Sequence, residues 1–226
     1  NLLIICILCN FFHLLIFRNL IQPTSGAMKI LQILPQSIDD RAIGQVVDVI
    51  KDGGLVIYPT DSIYAIGCDA LNNNAIERIC AIKSMKSAKT NLSIICESIS
   101  EVAHYAKLDN SQFRLLKSCL PGPYTFLLPA LSKLPKAFKG RRIVGIRIPD
   151  NPITVKIVQK LGNPIFTTSV VGADNDYITE PELIAESYAD KVDLVIDGGR
   201  GGITPTTIVD FTKKEPVIIR QGLGSF

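Results

Sequence analysis

The sequence predicts a single α/β domain whose twisted sheet mixes parallel and antiparallel strands and is flanked by helices. Short apolar runs that suit buried strands alternate with segments whose apolar residues recur at helical spacing. No linker divides this domain. Its 226 residues, 47% of them hydrophobic and 20% charged, are enough for one globular domain with a substantial core.

Helix and strand alternate through the first half of the chain. Apolar residues at helical spacing from Ile43 to Ile50 predict a first helix, which Gly53-Gly54 separates from a strand over residues 55–58. Asn74 can cap a second helix that leads to Lys83. The next three elements are a strand over residues 92–96, a helix opened by a Ser98-x-x-Glu101 capping box, and a helix capped by Asn110.

Proline and capping residues mark the elements of the second half. Pro121-Gly122-Pro123 ends the preceding helix, and Asn151-Pro152 starts another with an N-cap and a first-turn proline. Thr179 starts a further helix, with Glu182 closing a capping box. The predicted strands of this half cover residues 124–128, 143–148, 165–168, 194–196, 207–211 and 217–220.

The stretch over residues 53–68 carries the densest chemical signal. An apolar strand ends at Pro59, which cannot donate a ladder hydrogen bond, so the backbone is expected to turn outward there. Thr60, Asp61, Ser62 and Tyr64 would then lie at a strand end, where open α/β sheets hold their ligands. A plain strand, turn and strand explains the same residues. Asp61 could orient a substrate amine or a lysine, or cap the turn.

The same stretch resembles the P-T-[DE]-[ST]-x-Y-x-[LI]-G segment of the YrdC/YciO family, whose best-known members are threonylcarbamoyl-AMP synthases. The resemblance implies a YrdC-like domain over residues 28–226, closest to the YciO branch. It continues through Ile79-Cys80-Ala81-Ile82-Lys83, Pro121-Gly122-Pro123-Tyr124-Thr125-Phe126, Val144-Gly145-Ile146-Arg147-Ile148-Pro149, Thr167-Thr168-Ser169, Pro205-Thr206-Thr207-Ile208-Val209-Asp210 and Ile219-Arg220-Gln221-Gly222.

The resemblance implies a reaction that combines ATP, L-threonine and bicarbonate, through a carbamate and then an adenylate, with Mg²⁺ accompanying the nucleotide if the protein is an enzyme. Such a site needs cationic and hydroxyl donors that converge on anionic groups. Lys83 and Ser169 are the catalytic candidates. By resemblance, Thr60 and Tyr64 belong to the amino-acid side, and Arg147, Thr206 and Arg220 to the nucleotide or carboxylate side. The ligand-binding candidates are Thr60, Tyr64, Lys86, Arg147, Thr206, Thr207 and Arg220.

Two departures from the synthase pattern put the reaction in question. Synthases carry Lys-x-Arg where this chain has Lys83-Ser84-Met85, and the lysine Lys86 could replace the missing guanidinium only as a point charge. Synthases also have Thr-Ser-Ala-Asn where this chain has Thr168-Ser169-Val170-Val171. Val171 therefore replaces the asparagine, and it has no polar side-chain atoms. The alternative is a diverged nucleotide- or double-stranded-RNA-binding protein without synthase activity.

Charge permits an RNA partner. The net charge is +3, and a basic run that includes Lys133, Arg141 and Arg142 lies between two predicted strands. Arg141 and Arg142 are the candidates for contact with tRNA or double-stranded RNA. A solvated basic loop explains the same run.

The N-terminal segment and the cysteines bear on location. Residues 2–17 are mostly apolar but short for a membrane span, and we expect residues 1–27 to lie outside the fold, so that residues 28–226 have no membrane contact. The six cysteines mostly lie in apolar runs, which favours free thiols in a reducing, cytoplasmic setting. Cys6 and Cys9 have Cys-x-x-Cys spacing without a partner pair, and no metal site is predicted.

Overall fold

A computed structural model describes residues 29–84, 92–134, 138, 141–172, 176–213 and 215–226. Over these residues it confirms the predicted α/β fold with a mixed sheet. The strands are β1 (Ile30–Gln32), β2 (Val56–Tyr58), β3 (Ala65–Asp69), β4 (Leu92–Ile95), β5 (Tyr124–Pro129), β6 (Ile143–Arg147), β7 (Ile165–Ser169), β8 (Leu194–Asp197), β9 (Thr207–Asp210) and β10 (Val217–Arg220). The helices are α1 (Asp40–Lys51), α2 (Asn73–Ile82), α3 (Ile99–Tyr105), α4 (Asn110–Cys119), α5 (Pro152–Leu161) and α6 (Pro181–Ser187).

All of these strands belong to one sheet, in the order β1-β8-β2-β3-β7-β4-β6-β5-β9-β10. Four neighbouring pairs are parallel, namely β1/β8, β2/β8, β4/β6 and β5/β9, and the other five are antiparallel. Strand β2 is buried on both faces, which explains why it reads as the continuous apolar run Val56-Ile57-Tyr58.

The two faces of the sheet are covered differently. On one face, α2, α3, α4 and α6 pack over a large apolar cluster that includes Phe126 and Phe166. On the other face, α1 and α5 cover β8, β2, β3 and part of β7 with a second cluster that includes Ile43 and Ile157. Apart from Ile95 at the end of β4, which belongs to the second cluster, the described helices leave the rest of that face, over β4, β6, β5, β9 and β10, without an apolar cover. We call this region the open half-face.

Side chains that line the open half-face follow from the register. Residues paired across a sheet lie on the same face, and positions two apart share it. Ser93 pairs with Thr167 on one side and with Gly145 on the other. Two residues further along β7 and β6 come Ser169 and Arg147. Small polar and charged side chains therefore replace the aliphatic ones where no helix covers the sheet.

Helix starts are confirmed in position but corrected in their caps. Asn72, not Asn74, caps α2, because its extended backbone lets the side chain accept from the Ala75 N–H at 3.1 Å. Asp109, not Asn110, caps α4. Its carboxylate accepts hydrogen bonds from the backbone N–H groups of Ser111 and Gln112, and the Gln112 side-chain oxygen accepts one from the Asp109 N–H. The predicted Asn151 cap with Pro152 in the first turn is confirmed.

Two predicted capping boxes are not formed. Helix α6 begins at Pro181 after Glu180, which gives no side-chain cap, and the Thr179 hydroxyl contacts the Glu180 carboxylate instead. Ser98 does cap α3, but the Glu101 carboxylate accepts from the N–H of Glu97, one residue before the cap. The Ser/Thr-x-x-Glu spacing thus predicts where a helix starts, but it does not determine whether both hydrogen bonds of a capping box form.

The sequence did not predict β1 or name β3 as a strand. Strand β1 has three residues, lies at the edge of the sheet and is mostly exposed, so it lacks the length and burial of most of the other strands. Strand β3 pairs antiparallel with β2, so the stretch over residues 53–68 contains the strand, turn and strand that its residues also allowed.

None of the helices within the described ranges is long and apolar enough to cross a membrane. Residues 1–27, with Cys6 and Cys9, lie outside the described part of the chain.

Candidate functional site

A pocket of about 130 Å³ opens on the open half-face. We call it the sheet pocket. Its polar lining consists of hydroxyl groups and two guanidinium groups, and no carboxylate belongs to its described lining; these polar residues are Ser93, Thr125, Arg147, Thr167, Thr168, Ser169, Thr206 and Arg220. Hydroxyl and guanidinium groups can all donate hydrogen bonds, and guanidinium has no acceptor. The lining therefore favours an anionic group over a cation.

Gly145 lies between two residues that line the sheet pocket, Ser93 and Thr125. A Cβ atom at this position would overlap the Ser93 hydroxyl oxygen and would lie 3.3 Å from the Thr125 methyl carbon. Because Gly145 has no side chain, the polar groups of the neighbouring strands β4 and β5 can approach each other across β6. The glycine is needed here for close approach and not for an unusual backbone angle.

Arg147 is the most buried charge of the site, with 8% of its side chain exposed. Its Nη2 donates to the Asp61 Oδ1 at 3.0 Å and to the Ser62 hydroxyl at 3.4 Å. Its Nε is buried without a hydrogen-bond partner, and its Nη1 has none among the described residues. Burial lowers the pKa of Arg147, whereas the negative charge of Asp61 opposes that shift. The guanidinium stays charged and keeps donors free.

Thr206 and Arg220 meet at the other side of the sheet pocket. Nε and Nη2 of Arg220 donate to the Thr206 carbonyl at 3.2 and 2.8 Å, and the hydroxyls of Thr206 and Thr125 lie 2.8 Å apart. Thr207 has a different position, because its side chain points to the opposite face. Its hydroxyl donates to the Gly224 carbonyl at 2.6 Å and accepts from the Gly222 N–H. The sheet pocket thus contains Thr206 and not Thr207.

Thr60 and Tyr64 use their hydroxyls to hold loops. Thr60 Oγ1 donates to the Ile63 carbonyl at 2.7 Å and accepts from the Ser62 N–H, so it fixes the turn after β2. Tyr64 Oη donates to the Gly199 carbonyl at 2.7 Å, and burial raises the pKa of Tyr64 to about 12. Neither residue lines the sheet pocket in this structure.

Lys83 lies in a second and larger space of about 600 Å³, which we call the helix cavity because Lys83 and Ser84 follow α2 and Ser187 and Tyr188 end α6. Burial lowers the pKa of the half-buried Lys83, and its Nζ has no hydrogen bond to a described residue. Lys191 also lines the helix cavity, but its Nζ donates to the Ser187 carbonyl at 2.9 Å. Lys83 is therefore the uncommitted cation of this cavity among the described residues.

The two spaces lie on either side of the end of β7. Ser169 lines the sheet pocket and Val171 lines the helix cavity. The hydroxyl of Tyr188 donates to the Val171 carbonyl at 3.0 Å and accepts from its N–H at 3.3 Å, which fixes the backbone there. The predicted candidates are thus divided between two neighbouring spaces. Lys86 and Met85 lie outside the described residues.

Four lining residues were not named as site residues from the sequence, although three of them lie in the family motifs: Ser93, Thr125, Thr167 and Thr168. Buried Tyr58 donates to the Thr167 hydroxyl at 2.8 Å, leaving the hydrogen of that hydroxyl for another acceptor. A polar residue inside an apolar strand, such as Ser93 in Leu92–Ile95, is the signal that could have identified them.

The RNA-binding candidates lie before β6. Arg142 is exposed, and Arg141 is partly buried and has an interaction of its own. Lys133 is exposed, while Lys136 and Lys139 lie outside the described residues. RNA binding stays a prediction.

The side chains of the described residues offer few donors for a metal ion. Within the described ranges, no three His, Cys, Asp or Glu side chains come together in a way that could hold a metal ion. The sheet pocket offers hydroxyls and guanidiniums, which do not fit Mg²⁺, because Mg²⁺ prefers carboxylate and phosphate oxygens.

Comparison with known proteins identifies the family. The family model Sua5_yciO_yrdC, described as "Telomere recombination", matches residues 48–222. The chain belongs to the Sua5/YciO/YrdC family. An uncharacterized YciO protein of Escherichia coli is 38% identical over 195 residues, which cover 85% of this chain and 94% of that protein. An uncharacterized protein of Haemophilus influenzae is 39% identical over 197 residues, covering 85% and 95%.

Solved structures of the Sua5/YciO/YrdC family have the same fold. The crystal structure of E. coli YciO superposes with a TM-score of 0.82 at 37% identity, covering 88% of this chain and 97% of that one. Pyrococcus abyssi Sua5 complexed with L-threonine superposes with a TM-score of 0.78 at 29% identity, covering 85% of this chain and 57% of that one. A threonylcarbamoyl-AMP synthase of P. abyssi is 30% identical over 198 residues, so the chain spans about 58% of that enzyme.

Proposed function

We propose that this protein is an L-threonylcarbamoyladenylate synthase that takes ATP, bicarbonate and L-threonine as substrates, in the formation of threonylcarbamoyladenosine in tRNA. The observation that carries the proposal is the sheet pocket, where Arg147 keeps unpaired donors beside several hydroxyls and no lining carboxylate. A family relative, P. abyssi Sua5, has been crystallised with L-threonine, which supports an amino acid as one substrate.

The reaction requires anions to be held close together. The threonine nitrogen forms a bond to the bicarbonate carbon and water leaves, which gives a carbamate. A carbamate oxygen then bonds to the α-phosphorus of ATP as the bond to pyrophosphate breaks. Arg147 and Arg220 would bind carboxylate or phosphate oxygens, since a guanidinium fork fits both. Ser169 would donate to the reacting group, and Lys83 would offset charge on the polyphosphate.

The division into two spaces supports a long ligand with two separated anionic groups. The sheet pocket, at about 130 Å³, has room for one small anionic group, whereas the helix cavity of about 600 Å³ falls in the size range of small-molecule sites. A ligand that runs past Ser169 toward Lys83 would use both. Threonylcarbamoyl-AMP is such a ligand, because its threonine carboxylate and its phosphate are separated by the carbamoyl group.

A second candidate is a diverged nucleotide- or RNA-binding protein without turnover. Val171 favours it, because this residue brings an apolar side chain to the helix cavity and its backbone is already bonded to Tyr188. A site that lacks the synthase asparagine could keep affinity for the ligand and lose stabilisation of the reacting phosphorus.

Replacing Lys83 by alanine is expected to lower pyrophosphate release by about 100-fold, the effect typical of losing one group that stabilises developing charge. The measurement is pyrophosphate and threonylcarbamoyl-AMP formed from ATP, bicarbonate, L-threonine and Mg²⁺. Lys117→Ala, at an exposed position of α4, is the matched control and should leave turnover unchanged. No turnover by the wild-type chain, with ATP binding retained, would favour the second candidate.

Reversal of Arg141 and Arg142 to glutamate tests the RNA prediction. If these residues contact phosphates, affinity for double-stranded RNA or tRNA should fall and the dependence of binding on salt should become shallower. The readout is a filter-binding or anisotropy titration at two salt concentrations. RNA affinity that is unaffected by both reversals would rule out this surface.

A further inference from the structure

Asp61 lies behind the sheet pocket and is not part of its lining. Only 7% of its side chain is exposed. Its Oδ1 accepts from Arg147 Nη2 at 3.0 Å, and its Oδ2 accepts from the backbone N–H of Asp150 at 3.0 Å. Both oxygens are therefore bonded to residues at or just after the end of β6, while Asp61 itself follows β2.

These contacts argue against the two roles that the sequence suggested for Asp61. Both oxygens of this carboxylate are bonded inside the protein and its side chain is almost fully buried, so a substrate amine has little access to it. The turn after Pro59 is held by Thr60, whose hydroxyl accepts from the Ser62 N–H at 3.1 Å. Asp61 instead forms, with Arg147, the most buried of the ion pairs found among the described residues.

The position of Asp61 decides the direction of the Arg147 guanidinium. A guanidinium is planar, so fixing Nη2 between Asp61 and Ser62 also sets where the remaining N–H groups point. Those remaining groups, on Nε and Nη1, have no partner among the described residues. Burial disfavours the charged guanidinium, and the Asp61 carboxylate opposes that effect without occupying the sheet pocket.

We propose that Asp61 is a positioning residue, which orients Arg147 from behind so that the free donors of Arg147 serve an anionic ligand. This inference rests on the proposed function, because a ligand on Arg147 is what the orientation serves. Asp61 touches no ligand in this arrangement, so every effect of Asp61 on binding must pass through Arg147.

A double-mutant cycle tests that dependence. Asp61→Asn keeps the shape and removes the charge, and it should weaken binding of L-threonine or ATP by about tenfold, the size typical of losing a group that orients a ligand-binding side chain. In an Arg147→Lys background the same substitution should add little further loss. Affinities come from calorimetric titration of the full chain. Equal losses in both backgrounds would overturn the inference.

A second readout needs no ligand. Phenylglyoxal modifies arginine, and the modification of each arginine can be followed by peptide mass spectrometry. Arg147 should react faster in Asp61→Asn than in the wild type, while exposed Arg41 serves as an internal reference. Glu180→Gln, which removes the partner of exposed Arg200, is the matched control and should change neither affinity nor Arg147 labelling.

The two readouts separate the possible failures. A wild-type chain that binds neither L-threonine nor ATP would contradict the proposed function, and Arg147 labelling would still decide the role of Asp61. Binding by the wild type with unchanged affinity and labelling in Asp61→Asn would overturn the inference alone. If Asp61→Asn does not fold, as judged by circular dichroism, Asp61→Glu retains the charge and displaces it by one methylene, and it should give the same faster labelling.

Discussion

Replacement of Arg147 by lysine should weaken binding of L-threonine and ATP by roughly 12- to 140-fold, which corresponds to about 1.5 to 3 kcal/mol, the range for hydrogen bonds to charged groups. Lysine preserves the charge, but its single ammonium group replaces the planar guanidinium that bonds to Asp61. The lost donors on Nε and Nη1 are the ones that the described residues leave unpaired. The measurement is calorimetric titration of each ligand.

Arg200→Lys is the matched control for this experiment. Arg200 forms an ion pair with Glu180 at 3.2 Å, but 76% of its side chain is exposed. Exposed pairs contribute little to stability, so this substitution should alter neither the fold nor ligand affinity. Wild-type affinity in a folded Arg147→Lys protein would mean that the sheet pocket does not bind the ligand.

Gly67→Ala should destabilise the protein by about 3 kcal/mol, the upper part of the range for overpacking a core. A Cβ atom on this residue of β3 would lie 2.6 Å from the Phe166 carbonyl oxygen and 2.8 Å from the Tyr58 ring. The first neighbour is backbone in the paired strand β7, which cannot move without disturbing the ladder. Urea denaturation measures the change as a lower midpoint with an unchanged slope.

Gly44→Ala provides the contrasting control. Gly44 lies inside α1, and the nearest atom to a new Cβ is Lys160 Nζ at 3.4 Å, the end of a flexible side chain. Alanine should stabilise this helix by up to about 1 kcal/mol, because glycine is a poor helix former. Equal midpoints for Gly67→Ala and the wild type would show that the packing around β3 is looser than the structure indicates.

Local patterns were sufficient for most of the elements. Alternation of apolar runs with helical spacing predicted each described helix and every strand except β1 and β3. Caps were less predictable, since Asn72 and Asn74 are chemically equivalent and only the turn before α2 decides which one has the extended backbone. Tyr58 and Thr167, which are 109 residues apart in the chain, illustrate a contact that no local pattern predicts.

The candidate site was predictable in its chemistry and not in its geometry. Arg147, Ser169, Thr206 and Arg220 were named from their motifs and lie together around the sheet pocket. Thr207 was named with them, but adjacent residues of a strand point to opposite faces, and its hydroxyl is buried against Gly224. Whether these residues act on a ligand is the subject of the experiments proposed above.

The sequence by itself determined the alternation of helices and strands, the family motifs and the kinds of donor available. These depend on residue type and on spacing along the chain, both of which are local. Only the tertiary structure decided that Asp61 pairs with Arg147 and that Lys83 and Ser169 line separate spaces. Those facts depend on which strands are neighbours and in what register, and the register is set by the packing of distant segments.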